Sequence, residues 1–542
     1  MQKHWWQNGI VYQIYPRSFC DSNGDGIGDI PGIISKLDYL KDLGVDILWL
    51  SPVYPSPNCD NGYDISDYCG IHPDFGTMED MDRLIAEAKT RGIRIIMDLV
   101  INHTSDEHPW FQKALAGDET YRDYYYFRKG RDGKAPSNWG SFFAGDVWEP
   151  VGDDEYYLHL FAKKQPDLNW HNPKVYDEVC DILRFWLDKG IAGFRCDVIN
   201  IIYKNTLEDG KKQLALTGIE HYLSTEGNHD ILRRLRRDVL SKYDCFTVGE
   251  TVMVDTQMAR DLCNRDRGEL DMVFGFEHME CDQIGVKWFK VPYRPEKLIE
   301  RLDRWQREIE WTANYLENHD QPRSVSRFGD EGELREASAK MLGGLNLCLR
   351  GTAYIYEGQE IGMTNYPFRS LDDIEDVESH TVNETAKKMG LWSSLRWSLI
   401  RKTSRDHART PMQWTGGEHG GFTTGKPWLA ANPNCKTINV AAEEKNSDGI
   451  LAFYKEMIRI RKSNDALQWG DYRKISSPKD VYIFERETEN EKVTVICNMG
   501  KKERKIQPVD GKVLIGNYGA CGAVNGQTLK PYEFRVVRNS GR

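Results

Sequence analysis

The sequence has no apolar run that approaches the ~20 residues needed to cross a bilayer. No apolar segment of the signal-peptide type follows its opening residues, Met1–Asn8. It also has no excess of positive charge, since 72 Lys and Arg stand against 83 Asp and Glu, a formal net charge of −11. A nucleic-acid partner is therefore not expected, because phosphate backbones need clustered positive charge. We expect a soluble, cytoplasmic protein with no membrane partner.

Paired cysteines and repeats are absent as well. None of the 12 cysteines forms a Cys-x-x-Cys motif, and no cluster of residues matches the ligand spacing of a zinc site. A chain of 542 residues does not need disulfides to stabilise its core. We therefore expect reduced, mostly buried thiols. There is no repeat of fixed period and no low-complexity tract.

Short apolar runs alternate along the chain with segments whose apolar residues recur at helical spacing. Helical faces are clearest in Ile33–Leu43, Met81–Ala88 and Val179–Leu187. The apolar runs predict eight buried strands: Val11–Tyr15, Val45–Leu50, Ile93–Val100, Gly193–Ile199, Phe246–Gly249, Leu270–Phe276, Ala313–Leu316 and Ala353–Tyr356. Eight strands that alternate with helices predict an α/β fold, a parallel (β/α)8 barrel of the TIM type.

Two interruptions and a change of pattern predict further domains. The connection 104–172 is too long for a plain loop between a strand and a helix, so we expect a small inserted domain there. Residues 1–103 and 173–470 then form the barrel, with an irregular insertion at about 365–433. From 471 to 542 the runs become short and alternating, which predicts a C-terminal antiparallel β domain.

Polar residues stand at the carboxyl ends of four predicted strands, where a barrel of this type gathers its active site. They lie in Asp98–His103, Arg195–Asp197, Gly249–Glu250 and Asn318–Asp320. Neighbouring carboxylates raise one another's pKa, so that one is protonated while another stays ionised. Cleavage of a glycosidic bond needs this division of roles between an acid and a carboxylate. Arg195 projects to the same side of its strand as Asp197 and could hold that carboxylate ionised.

Four motifs in this order resemble those of the α-amylase family of glycoside hydrolases, and the resemblance covers nearly the whole chain. They read Asp98–His103, Gly193–Asp197, Val248–Glu250 and Glu317–Asp320. The resemblance implies that Asp197 is the nucleophile, Glu250 the general acid/base and Asp320 a third carboxylate that steadies the transition state. It implies contacts with the sugar for His103, Arg195 and His319. It also implies retention by double displacement, with nucleophile and acid about 5–5.5 Å apart.

Two further segments are similar to the oligo-1,6-glucosidase (isomaltase) branch of that family. They are Gln165–Asn169 and Arg405–Trp414. This resemblance implies that Asp60 and Arg409 grip the non-reducing end of a terminal glucose, which makes the enzyme exo-acting. It implies that Tyr63 stacks beneath that glucose.

The residue after the nucleophile separates linkage preferences within this branch. Valine accompanies α-1,6 cleavage, whereas alanine, glycine or threonine accompanies α-1,4 cleavage. The chain has Val198, so isomaltose and short isomalto-oligosaccharides are the expected substrates. One or two methyl groups change such discrimination by roughly 1–3 kcal/mol.

Three alternative functions remain open. Sucrose isomerases carry an Arg-Leu-Asp-Arg-Asp segment after the acid/base strand, and the corresponding stretch Phe276–Asp282 lacks its arginines. Trehalose-6-phosphate hydrolases need a cationic phosphate pocket, and Thr251–Val254 lacks the Ser-rich run associated with them. Non-enzymatic heavy chains of amino-acid transporters also resemble this family, but they need a transmembrane helix. We expect a monomer whose partner is a small oligosaccharide substrate.

The loop after the first strand carries alternating oxygen ligands in Asp21, Asn23, Asp25 and Asp29, with glycines between them. Such ligands suit a hard cation such as Ca²⁺. The family resemblance implies one structural ion held by these four side chains and the Ile27 carbonyl. Mg²⁺ is the alternative if the loop closes tightly, and a loop of Asx turns without an ion is another. We expect a stabilising role for the ion and no organic cofactor.

Overall fold

The computed structural model describes residues 3–213, 215–519 and 527–540. Its centre is a sheet of eight parallel strands. They are β1 Ile10–Ile14, β2 Ile47–Leu50, β3 Arg94–Leu99, β4 Gly193–Cys196, β5 Phe246–Glu250, β6 Met272–Phe274, β7 Thr312–Asn314 and β8 Gly351–Tyr356. The strand order is β7-β8-β1-β2-β3-β4-β5-β6, and β6 lies beside β7, so the barrel is nearly closed. The predicted (β/α)8 barrel is confirmed.

Strand ends differ from the prediction where the backbone turns. The prediction for the fourth strand extended to Ile199, but β4 ends at Cys196. Val198 adopts a left-handed conformation with φ 36° and ψ 38°, and a 3-10 turn follows at Ile199–Ile201. The apolar run of the sequence extends beyond the end of the strand, because its last residues are buried in this turn.

The helices cover the outside of the barrel, and several of them begin at a residue whose side chain caps the first turn. Thr77 and Asp80 form a reciprocal capping box at the start of one helix. Asn172 caps the long helix after the inserted segment, and Gly190 ends it in the left-handed region. The barrel helices are Ile30–Ser35, Leu37–Leu43, Met78–Thr90, Pro173–Lys189, Glu226–Asp238, Thr256–Cys263, Pro295–Glu308, Arg335–Cys348 and Ile450–Lys462.

The segment between β3 and β4 forms a small sheet over the carboxyl end of the barrel. Its three antiparallel strands are Phe127–Lys129, Glu155–Leu158 and Trp148–Gly152, in that spatial order. The helices Pro109–Leu115 and Glu119–Arg122 precede them. An isolated bridge between His103 and Asp167 ties the segment to the end of β3. The domain boundaries drawn from the sequence stay predictions.

The stretch 365–433 is more helical than the sequence indicated. It contains the helices Val377–Lys388, Ser393–Thr403 and Asp406–Arg409. Few of their residues are both apolar and buried, so the apolar spacing that marks a helix in a sequence is missing. Asp376 caps the first of them through the Glu378 amide.

The C-terminal antiparallel sheet is confirmed. Its five strands, in spatial order, are Asp471–Ile475, Val481–Glu487, Lys492–Asn498, Phe534–Arg538 and Lys512–Gly516. Residues 520–526 and 541–542 of the predicted domain lie outside the described residues.

Every helix within residues 3–213, 215–519 and 527–540 is too short or too polar to cross a membrane.

The C-terminal sheet packs closely on the barrel at Gly344, in the helix Arg335–Cys348. A Cβ atom at this position would lie 2.6 Å from the Phe534 ring. We expect Gly344→Ala to lower the free energy of unfolding by about 1–2 kcal/mol, because an overpacking penalty of about 1–3 kcal/mol exceeds the helix-propensity gain of about 1 kcal/mol. Urea unfolding measures the change.

The matched control is Gly140→Ala, since the nearest atom to a Cβ there is a backbone nitrogen at 3.6 Å. Equal stability of the Gly344 variant and the wild type would show that the two layers are not tightly packed at this helix.

Candidate active site

One buried guanidinium, that of Arg195, joins the ends of three neighbouring strands. Its Nη1 lies 2.5 Å from Asp98 Oδ1 and 2.8 Å from Asp197 Oδ1. Its Nη2 lies 2.7 Å from Glu250 Oε2. Asp98 and Arg195 are register partners across β3 and β4, and Glu250 is the last residue of β5. Parallel pairing thus brings together three of the carboxylates predicted from the sequence.

Three carboxylates around one cation carry more negative charge than Arg195 balances. Burial raises the pKa of Asp98 to about 6 against the pull of Arg195. Burial, with Glu250 and Asp98 nearby, raises the pKa of Asp197 well above its ordinary value. Asp197 and Glu250 thus form a pair of carboxylates on one guanidinium, and the raised pKa values of Asp98 and Asp197 favour retention of a proton within the cluster.

The Val198 backbone links the two members of this pair. Its N–H donates to Glu250 Oε2 at 3.4 Å, in the left-handed conformation described above. This conformation is unfavourable for a β-branched residue, so the surrounding packing must hold it. The Val198 side chain is 5% exposed and belongs to an apolar cluster with Phe143 and Phe161 of the inserted segment.

Tyr63 and His319 form a stacked pair beside Asp98. Their rings are 5.3 Å apart and nearly parallel. The Gln13 amide nitrogen lies 2.8 Å from His319 Nδ1, so Nδ1 accepts and Nε2 carries the proton. Nε2 lies 2.7 Å from the Tyr63 hydroxyl, which donates to Asp98 Oδ2 at 3.2 Å. Burial lowers the pKa of His319 to about 3, so its ring is neutral at neutral pH.

Asp320 is held by two arginines from the segment that follows β8. Arg409 Nη2 lies 2.7 Å and Arg405 Nη1 3.6 Å from Asp320 Oδ1. Burial works against ionisation, but His319, Arg405 and Arg409 outweigh it and hold the pKa of Asp320 below its ordinary value. Asp320 lies six residues beyond the end of β7, rather than at the strand end as predicted. Its side chain is 26% exposed, compared with 9% for Asp197.

Asp60 and Arg409, the two residues that the resemblance implied would grip the terminal glucose, have different partners. Arg409 binds Asp320 and the His319 carbonyl. The arginine that contacts Asp60 is Arg405, whose Nη2 lies 2.9 Å from Asp60 Oδ1. Arg405 also contacts Asp376 at 2.8 Å. The sequence analysis missed Arg405, although it opens the Arg405–Trp414 motif and could have been recognised there.

His103 lies where the inserted segment meets the barrel. Its Nε2 lies 3.0 Å from the Tyr63 carbonyl and 3.1 Å from the Gln165 amide nitrogen. Gln165 Nε2 also donates to Asp60 Oδ2 at 3.2 Å. All the predicted sugar-binding residues therefore lie in one connected network with the three catalytic candidates.

The predicted calcium loop is closed by its own hydrogen bonds. Asp21 accepts from the amides of Asn23, Gly24 and Gly26, and Asp29 accepts from Ser22 and Gly32. The Asn23 side chain likewise accepts from the Asp25 amide, and the Asp25 side chain accepts from the Ile27 amide. Within the described residues, no three His, Cys, Asp or Glu side chains converge as metal ligands. The ligand set Asp21, Asn23, Asp25, Ile27 and Asp29 stays a prediction.

The same loop is joined to a distant part of the chain. The Thr423 hydroxyl donates to Asp21 Oδ2 at 2.5 Å, and the Asp21 amide donates to the Phe422 carbonyl. The Trp428 amide donates to the Gly26 carbonyl. The loop therefore packs against the segment that follows Arg405 and Arg409.

Comparisons with known proteins agree with this architecture. The model of the alpha-amylase catalytic domain matches residues 13–470. An oligo-1,6-glucosidase of Parageobacillus thermoglucosidasius is 48% identical over 558 residues, covering 99% of each chain. Among solved structures, the isomaltulose synthase of Klebsiella sp. LX3 superposes with a TM-score of 0.96 at 40% identity, covering 99% of this chain and 100% of that one.

A trehalose-6-phosphate hydrolase of Bacillus licheniformis superposes with a TM-score of 0.93 at 42% identity, covering 99% of this chain and 100% of that one. The family match spans most of the chain, and the relatives match it from end to end. The chain therefore belongs to the α-amylase family and is a glycoside hydrolase.

Proposed function

We propose that the protein is an exo-acting α-glucosidase that cleaves α-1,6 bonds at the non-reducing end of isomaltose and short isomalto-oligosaccharides. The observation that carries the chemistry is the Arg195 cluster, in which one guanidinium contacts both Asp197 and Glu250 and burial raises the pKa of Asp197. Relatives named oligo-1,6-glucosidase support an α-glucosidase activity. The linkage preference rests on Val198 and on those names.

In the proposed mechanism the cluster holds one proton, and this proton lies on Glu250 when substrate binds. Glu250 gives it to the glycosidic oxygen while an Asp197 oxygen attacks the anomeric carbon, so the leaving sugar departs as an alcohol. Glu250, now ionised, takes a proton from water, whose oxygen releases the glucosyl group from Asp197. Asp320 stays ionised beside the oxocarbenium-like centre, because two guanidiniums stabilise its charge.

The exo action is supported by the Asp60–Arg405 contact. Both side chains are 6% exposed, and Arg405 is fixed from behind by Asp376. We propose that this pair closes the inner end of the site around the last glucosyl unit. A sugar hydroxyl would accept from Arg405 and donate to Asp60.

Two alternative activities share the site. The likeness to isomaltulose synthase keeps sucrose isomerisation as the second candidate. Trehalose-6-phosphate hydrolysis needs a cation free to bind phosphate. Arg405 and Arg409 are each bonded to carboxylates, and Lys287 is paired with Glu378. This pairing argues against a phosphate pocket formed by these three side chains.

We propose that the loop 21–29 binds Ca²⁺ and stabilises the fold. Its donors are all oxygen atoms, which suits a hard cation. Hydrogen bonds from Thr423 and backbone amides hold the pKa of Asp21 below its ordinary value despite burial, so this carboxylate is ionised. An ion would take the place of part of this amide bonding. A cytoplasmic location is supported by the 11 cysteines of the described residues, all of which are free.

A substrate panel tests the proposed function. We expect hydrolysis of isomaltose and panose to free glucose at rates well above those for maltose, sucrose, trehalose and trehalose-6-phosphate. In the same panel, Val198→Ala should raise the maltose-to-isomaltose ratio by about tenfold or more, because a smaller side chain beside the nucleophile admits the α-1,4 pose.

The matched control is Ile201→Val, which also removes buried volume from the apolar cluster of Val198 but lies farther from the nucleophile along the chain. A new disaccharide formed from sucrose would favour the isomerase. An unchanged ratio for Val198→Ala would contradict the role of Val198.

The acid/base assignment predicts a pH profile. Burial and the neighbouring carboxylates raise the pKa of Asp197, so the cluster retains a proton through neutral pH, and kcat/KM should fall at alkaline pH as this proton leaves. Glu250→Gln should lower kcat on isomaltose by about 10²–10⁴-fold. It should also abolish the alkaline fall for an aryl α-glucoside, whose leaving group needs no proton.

The control for this experiment is Glu333→Gln, at an exposed position outside the site. Persistence of the alkaline fall in Glu250→Gln would assign the proton to another group.

Metal removal tests the loop 21–29. We expect EDTA to lower the melting temperature and Ca²⁺ to restore it, because an ion that binds only the folded state stabilises it by about 2.7 kcal/mol at one hundred times Kd. Asp21→Asn should abolish the response to Ca²⁺. Asp118→Asn, which alters a similar cap elsewhere, should retain it, and a wild type unaffected by either reagent would refute the ion.

A further inference from the structure

Lys204 is a buried lysine for which the proposed mechanism has no use. Its side chain has no exposed surface, and neither has that of its partner Asp167. The ammonium lies 2.6 Å from Asp167 Oδ2, 2.7 Å from Asn102 Oδ1 and 3.3 Å from the Ile202 carbonyl. The ammonium therefore donates hydrogen bonds to Asn102 and to the Ile202 carbonyl and forms an ion pair with Asp167. Asp167 lies in the motif of the inserted segment, and Lys204 lies seven residues after Asp197.

The lysine fixes the orientation of the Asn102 amide. An ammonium can only donate, so the Asn102 oxygen must face it and the amide nitrogen must face the other way. That nitrogen lies 3.1 Å from Nδ1 of His103. Nδ1 is therefore an acceptor, and the single proton of the neutral ring lies on Nε2.

Without the lysine, the surroundings of His103 would permit either tautomer. Nε2 lies 3.0 Å from an acceptor, the Tyr63 carbonyl, and 3.1 Å from a donor, the Gln165 amide. The first contact favours a protonated Nε2 and the second an unprotonated one. Gln165 does not need the ring as an acceptor, since its amide also donates to Asp60 and to the Tyr63 carbonyl.

We propose that Lys204 is a positioning residue that sets the tautomer of His103 through Asn102, so that Nε2 carries the proton and donates to the Tyr63 carbonyl where no substrate is bound. The consequence for catalysis rests on the proposed function, in which His103 binds a hydroxyl of the terminal glucose. With Nε2 unprotonated, the ring would offer that hydroxyl an acceptor instead of a donor. The three-residue relay also makes the inserted segment part of the active site, because Asp167 anchors the lysine.

The tautomer can be read directly by NMR. In the whole protein labelled with [¹⁵N]histidine, the ring resonances of His103 are assigned by their loss in His103→Gln. In the wild type we expect Nε2 of His103 to be protonated and Nδ1 to be unprotonated. The paired variant Lys204→Met/Asp167→Asn removes both buried charges together, which avoids an unpaired ion. It should show a mixture of tautomers or the reverse tautomer.

The kinetic readout is the separation of KM from kcat on isomaltose. We expect KM of the paired variant to rise roughly three- to tenfold, the effect of one impaired hydrogen bond. kcat should change less, because the hydroxyl contact is present in both ground and transition states. The matched control is Lys340→Met. Lys340 is also buried, with 4% exposure, but its ammonium donates to the Asp448 carbonyl, far along the chain from His103. It should lose stability without a change in KM.

A second variant keeps the lysine and reverses the relay. In Asn102→Asp both side-chain oxygens accept, so His103 should move its proton to Nδ1 while Lys204 keeps its partners. This variant decides the question if the paired variant does not fold.

An unprotonated Nε2 of His103 in the wild type would overturn the proposal. So would a paired variant that keeps both the wild-type tautomer and the wild-type KM. Failure of the proposed function is separate from these outcomes, because it would show as absent isomaltose hydrolysis in the wild type. The NMR result does not depend on activity.

Discussion

The shared guanidinium of Arg195 is the constraint on which the rest of the site depends. Three carboxylates around one buried cation cannot all ionise without a large electrostatic penalty, so the cluster holds a proton at neutral pH. This proton is what a general acid must supply. The spacing of the groups comes from the pairing of β3, β4 and β5, since adjacent parallel strands end at the same edge. The chemistry is therefore a consequence of strand register as much as of residue type.

The charges around Asp320 have the opposite effect, since they keep a carboxylate ionised. Two cations, Arg405 and Arg409, contact Asp320, and its carboxylate stays ionised. Both arginines come from the segment after β8, whereas Asp60 comes from the loop after β2. The site thus combines one half that retains a proton with one half that excludes it. A glycosidase needs both conditions within a few ångströms.

The sequence predicted the parts of the protein that depend on periodicity and on ordered motifs. The eight strands and the main helices follow from apolar spacing, and Asp98, Arg195, Asp197 and Glu250 follow from their places at strand ends. Three features could not be predicted. The contact of Arg405 with Asp60 joins residues 345 positions apart, the left-handed turn at Val198 depends on tertiary packing, and the helices at 377–403 present no continuous apolar face.

The loop 21–29 has a consequence for the order of assembly. Its Asp21 carboxylate is completed by Thr423, which lies 402 residues farther along the chain. During synthesis the hydrogen bond from Thr423 to Asp21 cannot form until more than three quarters of the polypeptide has left the ribosome. Contacts of such long range are slow to form. The contact between the loop 21–29 and the segment around Thr423 therefore forms late in folding, and a nascent chain truncated before Thr423 could not form it.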